Sequence, residues 1–182
     1  PMLPNDVLYR PKMGFAVPLA RWFRGPLRHR VREALLEGPM LDSGWFDAGV
    51  IRQMVERWAV WRDAGHWDRF ATVWHPEGVM MATWFQGPFS EFIRVTQEGW
   101  AKGVSILHFL GGSAIEVAGD RAIAQTKMTI SQRGMVDGVD GPVLCDVVCT
   151  GRFYDFVERV NGEWKLLHRQ PIYEKDRIDP VD

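Results

Sequence analysis

The sequence predicts an α+β fold in which a strongly bent antiparallel sheet forms a cone wrapped over N-terminal helices. Helical spacing of apolar residues dominates the chain up to about residue 102, and four long β candidates then follow one another. Gly119-Asp120 and Asn161-Gly162 are turn pairs of the hairpin type between those candidates. Helices first and consecutive antiparallel strands afterwards are typical of α+β domains. A curled sheet capped by helices leaves an apolar pocket.

The composition suits a globular protein without an obvious polyionic partner. Of the 182 residues, 46% are apolar and 12% aromatic, which is enough for a core. The net charge of −1 predicts neither nucleic acid nor an acidic membrane as a partner. No apolar run approaches ~20 residues, so we expect no membrane span. Cys145 and Cys149 are too far apart along one strand face for an easy disulfide, and reduced cysteines favour a cytoplasmic location.

The charge distribution predicts a boundary near residue 52. Residues 1–52 carry eight Lys/Arg and five Asp/Glu, a balance of +3, and residues 53–182 carry 14 and 18, a balance of −4. The first segment begins with a Pro- and Gly-rich, irregular stretch over 3–18. A helix is expected over 27–36, where Gly38-Pro39 ends it. We therefore expect an irregular and helical extension over 1–52 and a domain over 53–182.

The domain is expected to open with a long helix from Asp47, as its N-cap, to Asp63 or Ala64. A short helix should follow from His66 and stop before a turn at Pro76. The remaining segments follow in order: a short strand over 79–85, a helix over 89–102, and strands over 104–117, 121–132, 143–160 and 163–173. A Gly-rich loop is expected over 134–141, and the charged tail 174–182 should be extended and partly disordered.

Residues 3–52 resemble the C-terminal part of glutamine-hydrolysing asparagine synthetases. The matching segments are Leu-Tyr-Arg-Pro-Lys-Met-Gly-Phe-Ala-Val-Pro (8–18), Ala-Arg-Trp-Phe-Arg-Gly-Pro-Leu (20–27) and Gly-Trp-Phe-Asp (44–47). In that family the Lys of the Arg-Pro-Lys motif, here Lys12, lies near the amidation site. This chain lacks the pyrophosphate-binding loop and the glutaminase nucleophile of the family. The resemblance therefore implies a remnant or fused fragment.

Residues from about 55 to 182 resemble the nuclear transport factor 2-like superfamily, in its SnoaL-like and scytalone dehydratase-like branch. The motifs are Asp63-x-x-x-Trp67-Asp68-Arg69-Phe70, Pro76-Glu-Gly78, Ile106-Leu-His108-Phe-Leu-Gly111, Asp120-Arg-Ala-x-Ala124, Gly151-Arg-Phe-Tyr-Asp155 and Asn161-Gly-x-Trp164. The resemblance implies the cone fold and homodimerisation through the open sheet face. The fold alone does not imply one activity, because it hosts enzymes, binders and assembly modules.

Asp63 and His108 are the predicted catalytic pair. In the related dehydratases and cyclases, an acid at the end of the first helix and a His on the first long strand line the pocket. The residue pattern supports this, because alternation places His108 among Ile106 and Leu110, where desolvation keeps an imidazole neutral and basic. An Asp–His hydrogen bond would orient that base. From spacing alone, a structural His and a solvated Asp are the simpler interpretation.

The pocket wall is predicted to contain Trp61, Trp84, Met128 and Phe153. These residues make it apolar and aromatic, with fewer proton donors than related dehydratases have. No spacing resembles a metal motif or a phosphate-binding loop, so we expect neither a metal nor a cofactor. Arg169 is expected to point outward from the last strand, or to contact a dimer partner.

The leading functional hypothesis is a SnoaL-like enzyme that performs cofactor-free proton transfer on a small apolar molecule. Dehydration, isomerisation and cyclisation are the candidate reactions. A non-catalytic ligand-binding or dimerisation module is the alternative, because the pocket has few additional acid–base groups. The remnant of an amide-forming synthetase is a remote third hypothesis.

Overall fold

The computed structural model describes residues 19–36 and 45–181. The chain divides into two compact units, Pro1–Ser43 and Gly44–Asp182. In the first unit, helix α1 covers Leu19–Arg24 and helix α2 covers Arg28–Leu36. The helix expected over 27–36 is therefore present. The Pro- and Gly-rich stretch 3–18 lies outside the described residues.

The second unit has the predicted α+β architecture. Its helices are α3 (Trp45–Asp63), α4 (Trp67–Thr72) and α5 (Phe89–Ala101), and its strands are β1 (Trp74–Met81), β2 (Gln86–Pro88), β3 (Ile106–Ala118), β4 (Arg121–Gly138), β5 (Gly141–Val160) and β6 (Glu163–Pro180). The strands form one curled, unclosed sheet in the order β2-β1-β6-β5-β4-β3. All neighbouring strands are antiparallel except β1 and β6, which are parallel.

The core is aromatic and centres on Trp58 of α3, which is 1% exposed. Its indole contacts rings from three other elements, with centroid distances of 5.3 Å to Phe70, 6.3 Å to Phe92 and 5.4 Å to Phe153. Such edge and offset contacts add to the free energy of apolar burial. The helices thus pack into the concave face of the sheet.

Three local expectations were wrong. The Gly-rich stretch 134–141 is not a long loop, because β4 and β5 continue to Gly138 and Gly141 around a two-residue turn. The tail pairs with β5, where Asp176 lies opposite Cys149 and Pro180 opposite Cys145. Pro76 lies within β1 in an irregular stretch, since Trp74 pairs with Leu166 but Val79 with His168. Such an interruption of the ladder tolerates a residue without an N–H.

Two further irregularities lie in the pairing of β6 with β5. Phe156 pairs with His168 while Val157 pairs with Leu166, so Leu167 is an extra residue. Thr150 pairs with Lys175 while Gly151 pairs with Tyr173, so Glu174 is a second one. An extra residue reverses which side chains of the following segment face the core.

No helix in the described part of the chain is long and apolar enough to cross a membrane.

Candidate functional site

Asp63 and His108 meet at the centre of the candidate site. The Nδ1 atom of His108 lies 2.7 Å from Oδ1 of Asp63, and the backbone N–H of His108 donates to Oδ2 over 2.6 Å. Their side chains are 6% and 13% exposed. The carboxylate therefore fixes both the backbone and the ring of His108.

Local structure explains how residues 45 apart come together. Helix α3 ends at Asp63, where Gly65 adopts the left-handed conformation (φ +69°) that helix ends require. Burial on β3 alternates, with residues 106, 108 and 110 turned inward and Leu107 and Phe109 exposed. The end of α3 packs at this strand, so its last carboxylate reaches His108.

Burial lowers the pKa of His108, although Asp63 acts in the opposite direction. Burial opposes ionisation of Asp63, but the hydrogen bonds from His108 and the charge of Arg62 outweigh it, so the pKa of Asp63 lies below its usual value. At neutral pH the pair is thus a neutral imidazole beside a carboxylate. An ionised carboxylate only accepts hydrogen bonds, which places the imidazole proton on Nδ1. The Nε2 atom then carries the free lone pair, and it makes no hydrogen bond to the described residues.

His108 lines a cavity of about 640 Å³ between the helices and the sheet. Two predicted wall residues, Trp84 and Phe153, line it as well. The other apolar and aromatic lining residues are Trp58, Met80, Phe92, Val95, Val104, Ile106, Ile130 and Pro171. The volume and the apolar lining are those of a pocket for a small organic molecule.

The other two predicted wall residues, Trp61 and Met128, do not line this cavity. Trp58 and Arg62 share the cavity-facing side of α3 because they are four residues apart, which leaves Trp61 to one side. Met128 is 3% exposed within the core, where it pairs with Leu110 and Gly151. Met128 illustrates that strand alternation gives the face of a residue but not its depth.

The cavity also has polar lining residues that the sequence pattern did not indicate. Arg62 lies beside Asp63, and Gln132, Cys149, Tyr173 and Asp176 line the cavity as well. Burial raises the pKa of the Cys149 thiol to about 11, with Asp176 acting in the same direction. Burial also raises the pKa of Tyr173. The bulge at Glu174 explains the omission, because without it Tyr173 and Asp176 would face opposite sides of the sheet.

Arg169 does not point outward, contrary to expectation. It is fully buried, and its Nε and Nη2 atoms donate to the two carboxylate oxygens of Asp155 over 2.7 and 2.6 Å. Its guanidinium lies 4.1 Å from the ring centre of Trp58 and 4.0 Å from that of Phe153. The bulge at Leu167 turns Arg169 to the inner face together with Leu166. The ion pair therefore supports two rings that flank His108.

No group of three or more His, Cys, Asp or Glu side chains within residues 19–36 and 45–181 is placed to hold a metal ion.

The second unit is an α+β domain with a curled sheet, and the Asp63–His108 pair lies at its cavity. Comparison with known sequences identifies the family of this domain. The chain belongs to the SnoaL-like domain family, whose model matches residues 47–170. The asparagine synthase family model matches residues 1–86. Both resemblances seen in the sequence are thereby confirmed.

One of the relatives by sequence is a fungal protein. Pea pathogenicity protein 2 from Fusarium vanettenii is 34% identical over 144 residues, which are 78% of this chain. The aligned part covers 60% of that relative, so the chain spans less than two thirds of its length.

Two bacterial structures share the fold at low sequence identity. A candidate scytalone dehydratase from Novosphingobium aromaticivorans has a TM-score of 0.62 at 18% identity, covering 75% of this chain and 90% of that one. A hexachlorocyclohexane dehydrochlorinase from Novosphingobium barchaimii has a TM-score of 0.58 at 15% identity, covering 74% and 90%.

Proposed function

We propose that this chain is a small-molecule enzyme that transfers protons on an apolar substrate in the cone pocket, without a cofactor. The observation that carries the proposal is the 2.7 Å contact of His108 Nδ1 with Asp63, which leaves Nε2 as a base in the apolar cavity. Dehydration, isomerisation and cyclisation each begin with such a proton transfer. The two bacterial structures are named for elimination reactions, which agrees with this chemistry.

The proposed mechanism uses the two residues in different roles. His108 Nε2 removes a proton from a substrate carbon, and the resulting imidazolium is stabilised by the Asp63 carboxylate. The proton then returns to another substrate carbon, or to a departing hydroxyl group. Asp63 is thus a positioning and electrostatic residue, whereas His108 contacts the reacting atoms.

The test uses 5-nitrobenzisoxazole, a flat apolar probe that a base converts into a coloured phenolate by removing its ring C–H proton. The wild-type chain should turn it over faster than free imidazole does, and His108→Gln should lower kcat/KM by about 10²- to 10⁴-fold. Asp63→Asn should also lower kcat/KM, because an amide can stabilise the wrong imidazole tautomer. Since burial lowers the pKa of His108, the rate should rise from acidic pH to a plateau, with an apparent pKa below the usual ~6.5 of histidine.

The matched control is His66→Gln, which changes a histidine at the start of α4, outside the cavity lining. Its kcat/KM should equal that of the wild-type chain. Equal rates for His108→Gln and the wild-type chain would contradict the proposal. Homodimerisation and a cytoplasmic location stay predictions.

A further inference from the structure

Arg62 places a positive charge in the cavity beside the catalytic pair. Its side chain is only 8% exposed and lines the cavity. The Nη1 atom donates to Asp63 Oδ1 over 3.2 Å and approaches the backbone oxygen of Ile106 at 3.5 Å. The Nε and Nη2 atoms make no hydrogen bond to the described residues.

These free N–H groups are open to the cavity rather than sealed inside the protein, so an acceptor on a bound molecule can reach them. Burial lowers the pKa of Arg62 and Asp63 raises it, but a guanidinium stays protonated at every pH at which proteins fold. The free N–H groups therefore present a permanent donor fork to the cavity. Such forks suit oxygen anions, because two parallel hydrogen bonds can form.

The charges of Arg62, Asp63 and His108 suit a substrate that is neutral when it binds. With His108 neutral, Arg62 and Asp63 sum to zero. Once His108 has taken a proton the trio carries +1, which matches a substrate that has become a monoanion, while the carboxyl group of Asp176 in the same cavity lies outside this trio. Among the residues that line the cavity, Arg62 is the sole Lys or Arg.

We infer that Arg62 is a catalytic residue that binds the oxygen on which negative charge develops, and that the substrate is a neutral carbonyl compound with an apolar body. This inference rests on the proposed function. His108 Nε2 takes the proton from the carbon next to the carbonyl. The C–H electron pair forms a C=C bond, the carbonyl π pair moves to oxygen, and the enolate oxygen accepts hydrogen bonds from Arg62. While the enolate exists, the Asp63 carboxylate stabilises the imidazolium of His108.

The first test measures binding of 4-nitrophenol, whose phenolate form absorbs visible light. Its oxygen imitates the enolate oxygen, so the wild-type chain should bind the phenolate in preference to the phenol. Arg62→Met should lower phenolate affinity at least tenfold. The matched control is Arg52→Met, an exposed arginine of the same helix, which should bind as the wild-type chain does.

The second test measures turnover of 5-nitrobenzisoxazole, in which the base-driven N–O cleavage develops charge on oxygen. Loss of one oxyanion donor costs about 10²- to 10³-fold in kcat, and Arg62→Met should fall in that range. Because the charge of Arg62 lowers the pKa of His108, Arg62→Met should also raise the apparent pKa of the pH–rate profile. The kcat values are therefore compared on the plateau above that pKa, where His108 is neutral in both chains and only the loss of the oxyanion donor remains. Arg62→Lys keeps the charge without the fork and should be intermediate in both tests. It replaces Arg62→Met if a thermal melt shows that the latter does not fold.

The outcomes separate this inference from the proposed function. In one outcome, Arg62→Met and Arg62→Lys bind phenolate and turn over the probe as well as the wild-type chain does, while His108→Gln loses turnover. That result would overturn the role of Arg62 and leave the proposed function standing. Phenolate binding that depends on Arg62, without any turnover by the wild-type chain, would support the anion site and overturn the proposed function.

Discussion

One hydrogen-bonded pair controls the charge state of the pocket. His108 is held neutral by its burial, and Asp63 is held ionised by two donors from His108 and by Arg62. The two groups stabilise each other's geometry while remaining in different charge states. In the proposed mechanism, His108 therefore needs no reorganisation before it accepts a proton.

The same pair should make stability depend on pH. The pKa of His108 is lower in the folded chain than the unfolded value of ~6.5, so the unfolded chain binds more protons near and below that pH. Its contribution to stability is complete at neutral pH and is lost as the pH falls below ~6.5. The lowered pKa of Asp63 acts in the same direction below pH ~4.

We therefore expect the free energy of unfolding to fall between pH 7 and 5, and His108→Gln to reduce that fall. Urea denaturation at a series of pH values measures both slopes. His66→Gln serves as control, because its free energy of unfolding should depend on pH as that of the wild-type chain does. Parallel pH profiles for His108→Gln and the wild-type chain would count against a buried neutral His108.

At this scale the sequence predicted Asp63 and His108 but not Arg62 or Arg169. The pair could be predicted because the family resemblance maps an acid and a His onto these positions and the strand-face pattern agrees, whereas spacing alone favours a structural His and a solvated Asp. Arg62 was hidden because an arginine near a helix end is usually solvated. Arg169 was misjudged because its face depends on a bulge that alternation does not reveal.

Among the elements, β6 depends on its bulges for the residues that it contributes to the inner face. Its extra residues at Leu167 and Glu174 place Arg169, Pro171, Tyr173 and Asp176 on the inner face. The close approach of β6 to β5 at the second bulge requires Gly151. A Cβ atom at Gly151 would overlap the backbone oxygen of Ile172.

Gly151→Ala should destabilise the chain by about 3 kcal/mol, at the upper end of the cost of overpacking, because backbone atoms must move. It should also weaken phenolate binding, since Tyr173 lies opposite Gly151. Chemical denaturation and the nitrophenol titration measure the two effects.

Gly134 of β4 is the matched control, because a Cβ there meets no atom within 4 Å. Gly134→Ala should change stability by less than about 0.5 kcal/mol. A Gly151→Ala variant as stable as Gly134→Ala would show that β6 does not pass this close.

At the scale of the whole molecule, two family models match the chain, and most of α3 lies where the two matches overlap. The family models overlap over residues 47–86, and α3 runs without interruption from Trp45 to Asp63. Asp47 was expected to cap this helix but lies in its first turn. Its carboxylate accepts hydrogen bonds from Arg159 at 2.7 Å and from Trp164 Nε1 at 2.9 Å. The start of α3 is thereby tied to the sheet.

A truncation series tests where the domain begins. Residues 44–182 should unfold cooperatively, because every buried hydrophobic residue of the core cluster lies from Ile51 onward. Residues 53–182, which begin at the charge boundary, should be less stable by at least about 3 kcal/mol. That chain loses the fully buried Ile51 and both hydrogen bonds of Asp47. Equal denaturation midpoints for the two chains would place the boundary at residue 52.

The fold could be predicted at this scale because it depends on the order and spacing of apolar residues. The limits of the strands could not, since pairing between β5 and β6 continues through charged residues up to Pro180. Charged side chains on the tail suggested solvation, whereas the backbone hydrogen bonds of the ladder decide its structure.

The two bulges of β6 have a consequence for how this strand tolerates change. Inward residues are even-numbered at Trp164 and Leu166, odd-numbered from Arg169 to Tyr173, and even-numbered again at Asp176. Deleting Leu167 alone would leave a regular ladder with Arg169 still opposite Asp155, because Leu166 and Arg169 would then be two residues apart on the same face. A deletion or insertion between the bulges would instead turn inward residues outward, so changes in the length of β6 should be confined to the two bulge positions.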